Sequence, residues 1–411
     1  GSRPMLRRPR PQRPARIGAR GCAVAVVCLQ LARVVSLQRH LQLNLPCGLG
    51  QCWATAAEGL AAAAGAGPTA AAGGMPPEGS TVEELPADDA AKLRQLYGKP
   101  SGKFLKGRDG FSHYVLDGPW HPEGPRRRVA VLSHGLGTSS KVYAGFVEPL
   151  LRGGFRVLRY DFCGHGWSHA GPGAQFDLDM LLTQLQELLD HLLAPGEPVD
   201  LFVGHSTGGL LGVQAAVSLP ALPGGRRLER LALISPAFWK VTPFLVKVLD
   251  KVPSLARVLL SVKALPLVQN AYLENCDNAF AHEGAKYFYP EKYATAKADI
   301  KRMFDLHPQI VDAIAGLTLG ILRSDILAGL LPTFQSLIAS RDAASPKVGL
   351  FWGTHDIVVE FLHAKEVLSW PGGGSVTCVE LTGMGHEAPV EDPVRVATEI
   401  ARWAGPQASR L

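Results

Sequence analysis

The chain has 411 residues, of which 46% are hydrophobic and 19% charged, proportions that allow a sizeable buried core and exclude a disordered or collagen-like protein. Its formal charge of +6 is not spread evenly: nine of the 42 Lys and Arg residues lie in the first 50 positions, where there is no Asp or Glu. The remaining 33 basic residues face 36 acidic ones, so the folded part carries no basic stripe of the kind nucleic acid binding requires.

The N-terminal stretch, 1–56, reads as a targeting segment. It is Arg-rich from Arg7 to Arg20, then apolar through Cys22 to Leu29, a pattern shared by secretory signals and by Arg-rich, acid-free transit peptides, which points to the secretory pathway or to a mitochondrion or plastid. The apolar run meets Gln30 and Arg33 too soon for a membrane anchor, which needs about 20 apolar residues. Residues 57–100 follow as an Ala/Gly/Pro-rich linker and lead-in, whose tract to Gly79 has almost no bulky side chains to bury. Cysteines divide likewise: Cys22, Cys28, Cys47 and Cys52 fall in the N-terminal segment, and Cys163, Cys276 and Cys378 are too scattered for a disulfide framework or a zinc site.

Alternation of strands and helices starts near Lys103. Phe104-Leu105 and His113-Tyr114-Val115 flank the turn dipeptide Asp109-Gly110, which predicts an opening hairpin. Short apolar runs follow at Val129–Leu132, Val157-Leu158, Val199–Val203, Leu231–Ile234, Val348–Phe351 and Val376–Val379. Between them, Leu178, Leu181, Leu182, Leu185, Leu188, Leu189 and Leu192 form one apolar helix face. This rhythm implies an α/β fold: a mostly parallel, doubly wound sheet with helices on both faces. Residues 239–340 break it with apolar, Pro-punctuated helical segments and no good strand, which is expected of a helical cap inserted between two late strands. The core is then split into 101–238 and 341–411.

Chemistry enters at Gly204-His205-Ser206-Thr207-Gly208-Gly209. The strand before and the helix after give G-x-S-x-G the strand-turn-helix setting in which a nucleophile stands on a turn too tight for side chains at its glycines. The helix N-terminus there favours negative charge. A serine hydroxyl needs a base, and His386, on the glycine-rich loop Thr382-Gly383-Met384-Gly385-His386, is the histidine in the right place: late in the chain, after a strand. Asp356, closing the run Lys347 to Asp356, is the expected acid, with Glu360 as the fallback; the strand ending Ser235-Pro236-Ala237 offers no carboxylate. Two backbone N–H groups should receive the oxyanion, those of Thr207 and of Leu136 in Ser133-His134-Gly135-Leu136-Gly137, with His134 fixing that loop by hydrogen bonding. The histidines at 113, 121, 169, 191, 282, 307 and 363 are read as structural or merely exposed.

At these residues the chain resembles the α/β-hydrolase superfamily over about Lys103 to Trp403. Arg159 to Ser168 looks like the structural D-x-x-G-x-G-x-S segment after the fourth strand, which keeps Asp161 and His165 off the catalytic list. The stretch from Phe176 to Leu201 is similar to the monoacylglycerol lipase and esterase branch with a helical cap, although Thr207 stands where that branch commonly carries methionine or glutamine. The resemblance implies acyl transfer to Ser206 and hydrolysis through His386, without metal or organic cofactor, on a small-molecule ester or lipid. Apolar residues in the cap, from Phe244 to Leu260, suit an apolar acyl chain and peripheral membrane contact, and suit packing of the cap onto the sheet equally well. Rival readings are an aminopeptidase of the prolyl iminopeptidase type, with Glu274, Asp277 and Glu283 gripping an amino terminus, an acyltransferase, and a non-catalytic ligand-binding or structural subunit.

Overall fold

The computed structural model describes residues 84–120, 127–238, 290–322 and 324–405. The targeting segment, the Ala/Gly/Pro tract and the first part of the cap, including Phe244 to Leu260, Glu274, Asp277 and Glu283, lie outside the described residues. No described helix is long and apolar enough to cross a membrane.

The hairpin forms as β1 (Lys103–Gly107) and β2 (Gly110–Asp117), antiparallel, with Phe104 opposite His113. Then come β3 (Arg128–Ser133), β4 (Phe155–Tyr160), the two-residue β5 (His169–Ala170), β6 (Leu201–His205), β7 (Arg230–Ile234), β8 (Lys347–Gly353) and β9 (Thr377–Leu381). The sheet runs β1-β2-β4-β3-β6-β7-β8-β9, with β5 against β2; every pairing from β4 through β9 is parallel. The central strands are buried along their length because helices cover both faces, which is why they read as unbroken apolar runs rather than as alternating ones.

On one face lie α3 (Leu178–Leu192) and α4 (Thr207–Ser218), packed with Leu317, Phe334 and the sheet residues Val131 and Phe202. Helix α3 starts at Asp177, whose side chain accepts the Met180 N–H. On the other face, α2 (Val147–Arg152) and α10 (Pro393–Ala404) bury Leu150, Val396, Ala397 and Ile400 against Ala130, Val203 and Phe351. This is the mostly parallel, doubly wound sheet expected. Between β7 and β8 the described residues form three helices, α5 (Pro290–Leu306), α6 (Ile310–Leu322) and α7 (Ser324–Ala339), while α8 (Leu362–Ser369) and α9 (Ala388–Glu391) follow β8 and β9.

Three details depart from the sequence reading. Within the lead-in, Ala87–Tyr97 forms α1, which buries only Ala90 and Leu93 and so has too narrow an apolar stripe to be conspicuous. Strand β6 starts and ends two residues later than its apolar run, since Gly204 and His205 pair with Leu233 and Ile234 while Val199 makes only a lone bridge to Leu228. Strand β5 is too short for any periodicity.

Candidate active site

Parallel pairing puts the C-terminal ends of β3, β6, β8 and β9 on one edge of the sheet, so the loops carrying Leu136, Ser206, Asp356 and His386 leave from neighbouring places. Ser206 itself stands between β6 and α4 at φ 51°, ψ −113°, a conformation that costs a non-glycine residue about 1–3 kcal/mol and that the surrounding turn must enforce. Two close approaches enforce it. A Cβ on Gly204 would come 2.3 Å from the Gly208 carbonyl oxygen, and one on Gly208 would come 2.1 Å from that of Ser133.

The three side chains chosen from sequence meet. Ser206 Oγ donates to His386 Nε2 at 3.1 Å, and His386 Nδ1–H donates to Asp356 Oδ2 at 2.9 Å. Asp356 is fixed from behind, its Oδ1 accepting the N–H groups of Val358 and Val359 at 2.9 and 2.8 Å. Glu360, the fallback acid, is exposed and makes no such bond. Burial alone would raise the Asp356 carboxyl, but the imidazole charge, its hydrogen bond and the Val359 N–H hold it below the ordinary carboxylate value. Burial likewise disfavours the His386 cation, and the Asp356 carboxylate outweighs it, so that His386 is raised above the ordinary histidine value. Such a pair leaves an imidazole with its lone pair aimed at the hydroxyl and a ready anion to balance the proton it takes.

The two loops are sewn together by backbone. Gly353 lies so close to the His386 loop that a Cβ would come 2.3 Å from the Gly385 carbonyl oxygen; His355 N–H donates to Met384 O at 2.9 Å; and the buried Glu391 carboxylate accepts the Gly385 N–H at 3.0 and 3.1 Å. His205 adds a tie that sequence reasoning missed: its Nε2–H donates to the His386 carbonyl at 2.8 Å, joining elbow to base. Burial and the nearby imidazole push His205 down to about 3, so it stays neutral while it does so. Ser235 was also missed. It is fully buried at φ 41°, with its hydroxyl against the Asp356 carboxylate but without a well-formed hydrogen bond.

Thr207 is the first residue of α4, where an N–H has no partner within its helix. Leu136 follows Gly135, whose added Cβ would lie 3.3 Å from the Ser206 Cβ, so this loop presses directly on the nucleophile. His134 makes the bonds of a loop-fixing residue, donating from Nδ1 to Gly135 O at 2.7 Å and accepting the Phe162 N–H at Nε2 at 2.9 Å. Asp161 is a buried hub that accepts from His113 Nδ1, Ser140 N and Trp167 N, none of them a triad group; His307 and His169 are likewise bonded structurally, to Gly166 O and Asp89.

One more charge sits at the site. A carboxylate oxygen of Glu387 and one ring nitrogen each of His205 and His386 lie within 4.8 Å of one another. Burial, with Glu391 and Asp356 nearby and opposed by His386, pushes the Glu387 carboxyl up to about 7.

The comparisons bear on the family and the fold. A profile of the family described as serine aminopeptidase, S33, matches residues 124–393. Among solved structures, a hydrolase from Pseudomonas aeruginosa PA01 superposes with a TM-score of 0.53 over 74% of this chain and 98% of its own, at 23% identity. The enol-lactonase from Burkholderia xenovorans LB400 gives 0.52 over 73% and 98%, at 21%. At those identities they show the fold. Among curated proteins, one of Stutzerimonas stutzeri (strain A1501) named as the carbamate hydrolase RutD is 37% identical over 110 residues, which is 27% of this chain and 39% of that protein. A pimeloyl-acyl-carrier-protein methyl ester esterase from Edwardsiella ictaluri (strain 93-146) is 33% identical over 106 residues, 26% of this chain and 37% of its own. The chain spans about two fifths of the length of the curated relatives it matches.

Proposed function

We propose, for a chain that belongs to the serine aminopeptidase S33 family of α/β-hydrolases, that it hydrolyses carboxylic esters with an apolar acyl chain through an acyl-serine intermediate. The observation that carries this reading is the unbroken succession of Ser206 Oγ, His386 Nε2, His386 Nδ1 and Asp356 Oδ2, at 3.1 and 2.9 Å. His386 takes the hydroxyl proton as Ser206 attacks the carbonyl carbon, and the oxyanion faces the N–H groups of Thr207 and Leu136. The imidazolium then gives its proton to the leaving alcohol. Water, deprotonated in turn by His386, releases the acid and restores the serine. None of these steps calls for a metal or an organic cofactor. Leu136 supports the apolar acyl chain: its side chain packs on the sheet core and on the cluster of Met303, Phe304, Ile310 and Ile314 from α5 and α6, so the wall beside the nucleophile is apolar.

A fluorophosphonate probe tests the reading. Wild type is expected to label, and Ser206→Ala to abolish labelling and to lower kcat/KM on p-nitrophenyl esters by about 10⁴-fold or more. Wild-type protein that folds but neither labels nor turns over any ester of the chain-length series would sink it.

The family's description favours a second reading, an aminopeptidase built on the same three residues. Aminoacyl anilides offered beside the esters separate the two, since a peptidase would prefer the anilides.

A further inference from the structure

Three carboxylates surround His386, and they differ in what balances them. Asp356 holds the imidazole and two backbone N–H groups, and Glu391 holds the Gly385 N–H. The Glu387 carboxylate has no hydrogen bond or ion pair among the described residues, its backbone carbonyl alone accepting the Val390 and Glu391 N–H groups, and the residue is the least enclosed of the three, half-buried where the other two are buried. It is also placed beside the base, a carboxylate oxygen lying within 4.8 Å of one ring nitrogen each of His386 and His205, on the turn that precedes α9, against which α5 packs. A charge that is partly desolvated and unmatched among the described residues gains most from a cation that arrives with a ligand. The imidazole is also the group that hands a proton to the leaving oxygen, so a carboxylate beside it lies on the side of the alcohol portion rather than that of the acyl chain.

We propose that Glu387 is a specificity-determining residue that favours esters whose alcohol portion carries a positive charge close to the scissile bond. The inference rests on the serine hydrolase reading of the same site. Its pH behaviour follows from the groups that face Glu387. Among the described residues those are His386 and His205, Asp356 on the loop after β8, Glu391 on α9 and Tyr143 ahead of α2. Of these, Tyr143 is held well above its usual range by burial, His205 is neutral above about 3 and Asp356 is ionised. The Glu387 carboxyl, pushed up to about 7, therefore changes charge in the working range, and the preference for a cationic alcohol is present above that pH and fades below it. Protonation of His386 stops the reaction of every ester alike, so it cancels in a ratio of two substrates.

The test uses a butyrate pair of the same shape, the choline ester and the 3,3-dimethylbutyl ester, in which a quaternary ammonium is replaced by a tert-butyl group. In the full-length wild type, the kcat/KM ratio of choline to neutral ester is expected to be about tenfold higher at pH 8.5 than at pH 5.5. Glu387→Gln should level that ratio across the range, and Glu387→Ala should do the same if the amide variant folds poorly. A wild-type ratio that is flat with pH, or a preference that survives removal of the carboxyl, overturns the proposal. Fluorophosphonate labelling of the wild type separates the two readings: labelling with a flat ratio removes the role of Glu387 alone, and no labelling removes the hydrolase reading itself.

Discussion

Two hydrogen bonds separate Ser206 from Asp356, and each has its own electrostatic consequence. The bond from His386 to Asp356 does two things: it fixes which ring nitrogen bears the proton, and it stabilises the imidazolium. Because His386 is raised by that carboxylate against the pull of burial, kcat/KM should climb with pH along an acidic limb whose midpoint lies above the ordinary histidine value of 6.5. Asp356→Asn removes the raising charge and leaves the burial, so the limb should move to lower pH while the plateau falls by about 10⁴-fold. A limb that stays in place after the substitution would mean that another group sets it. Asp161 shows how a buried carboxylate can serve structure alone. Burial would raise it, but His113 and the Trp167 N–H hold it far below the usual carboxylate range. A depressed carboxyl contributes its stability fully above the unfolded value of about 4 and loses it as pH falls toward the native one. Asp161→Asn should therefore cost about 3 kcal/mol near neutrality and flatten the loss of stability on acidification, as read by chemical denaturation at pH 7 and pH 3.

At the scale of elements, each site residue sits just past a strand end, where a glycine permits close approach. The loop after β3 is the most demanding case, because Gly135 leaves no room for a side chain between His205 and Ser206: an added Cβ would lie 2.9 Å from the His205 Nδ1. Gly135→Ala should push this loop, and the Leu136 N–H with it, away from the oxyanion, lowering kcat by about 10²- to 10³-fold while the melting temperature moves little. An unchanged kcat would show that Leu136 is not the donor. The strand-turn-helix pattern at Ser206 and the order serine, acid, histidine were legible because they are written in short runs of residues with strong local preferences. Glu387 and His205 were not. Their significance lies in distances to groups about 180 positions apart in the chain, which no local pattern encodes. Strand β5 and helix α1 escaped for a related reason: one is two residues long, the other buries two side chains, and both are held by tertiary contacts such as the bond between His169 and Asp89.

Across the whole molecule, the helices described between β7 and β8 are fastened to the sheet domain where α5 meets α6. Gln309 pairs with Ala170 in both directions, its Oε1 accepting the N–H and its Nε2 donating to the carbonyl, each at 2.8 Å, and His307 Nε2–H donates to Gly166 O at 3.0 Å. Small residues let the helices settle there, since a Cβ on Gly164 would come 2.7 Å from the Ala313 Cβ and one on Gly316 would come 2.7 Å from the Phe176 Cβ. Helix α1 clasps the same junction, with Leu96 against Phe304 and its neighbours and Gln95 O accepting from Arg302. The described helices between β7 and β8 form a wall at this junction, and on the ester reading proposed above their cluster of Met303, Phe304, Ile310 and Ile314 sets how much apolar surface an acyl chain meets beside Leu136. Gln309→Ala strands the buried Ala170 N–H and carbonyl, so it should lower the melting temperature by about 3–6 °C. If the wall gives the site its grip on long chains, the same substitution should raise KM about threefold for decanoate esters and leave acetate esters unchanged, because only the longer chain reaches past Leu136. Equal effects on both esters would place the cap's contribution in overall stability, with no part in holding the chain.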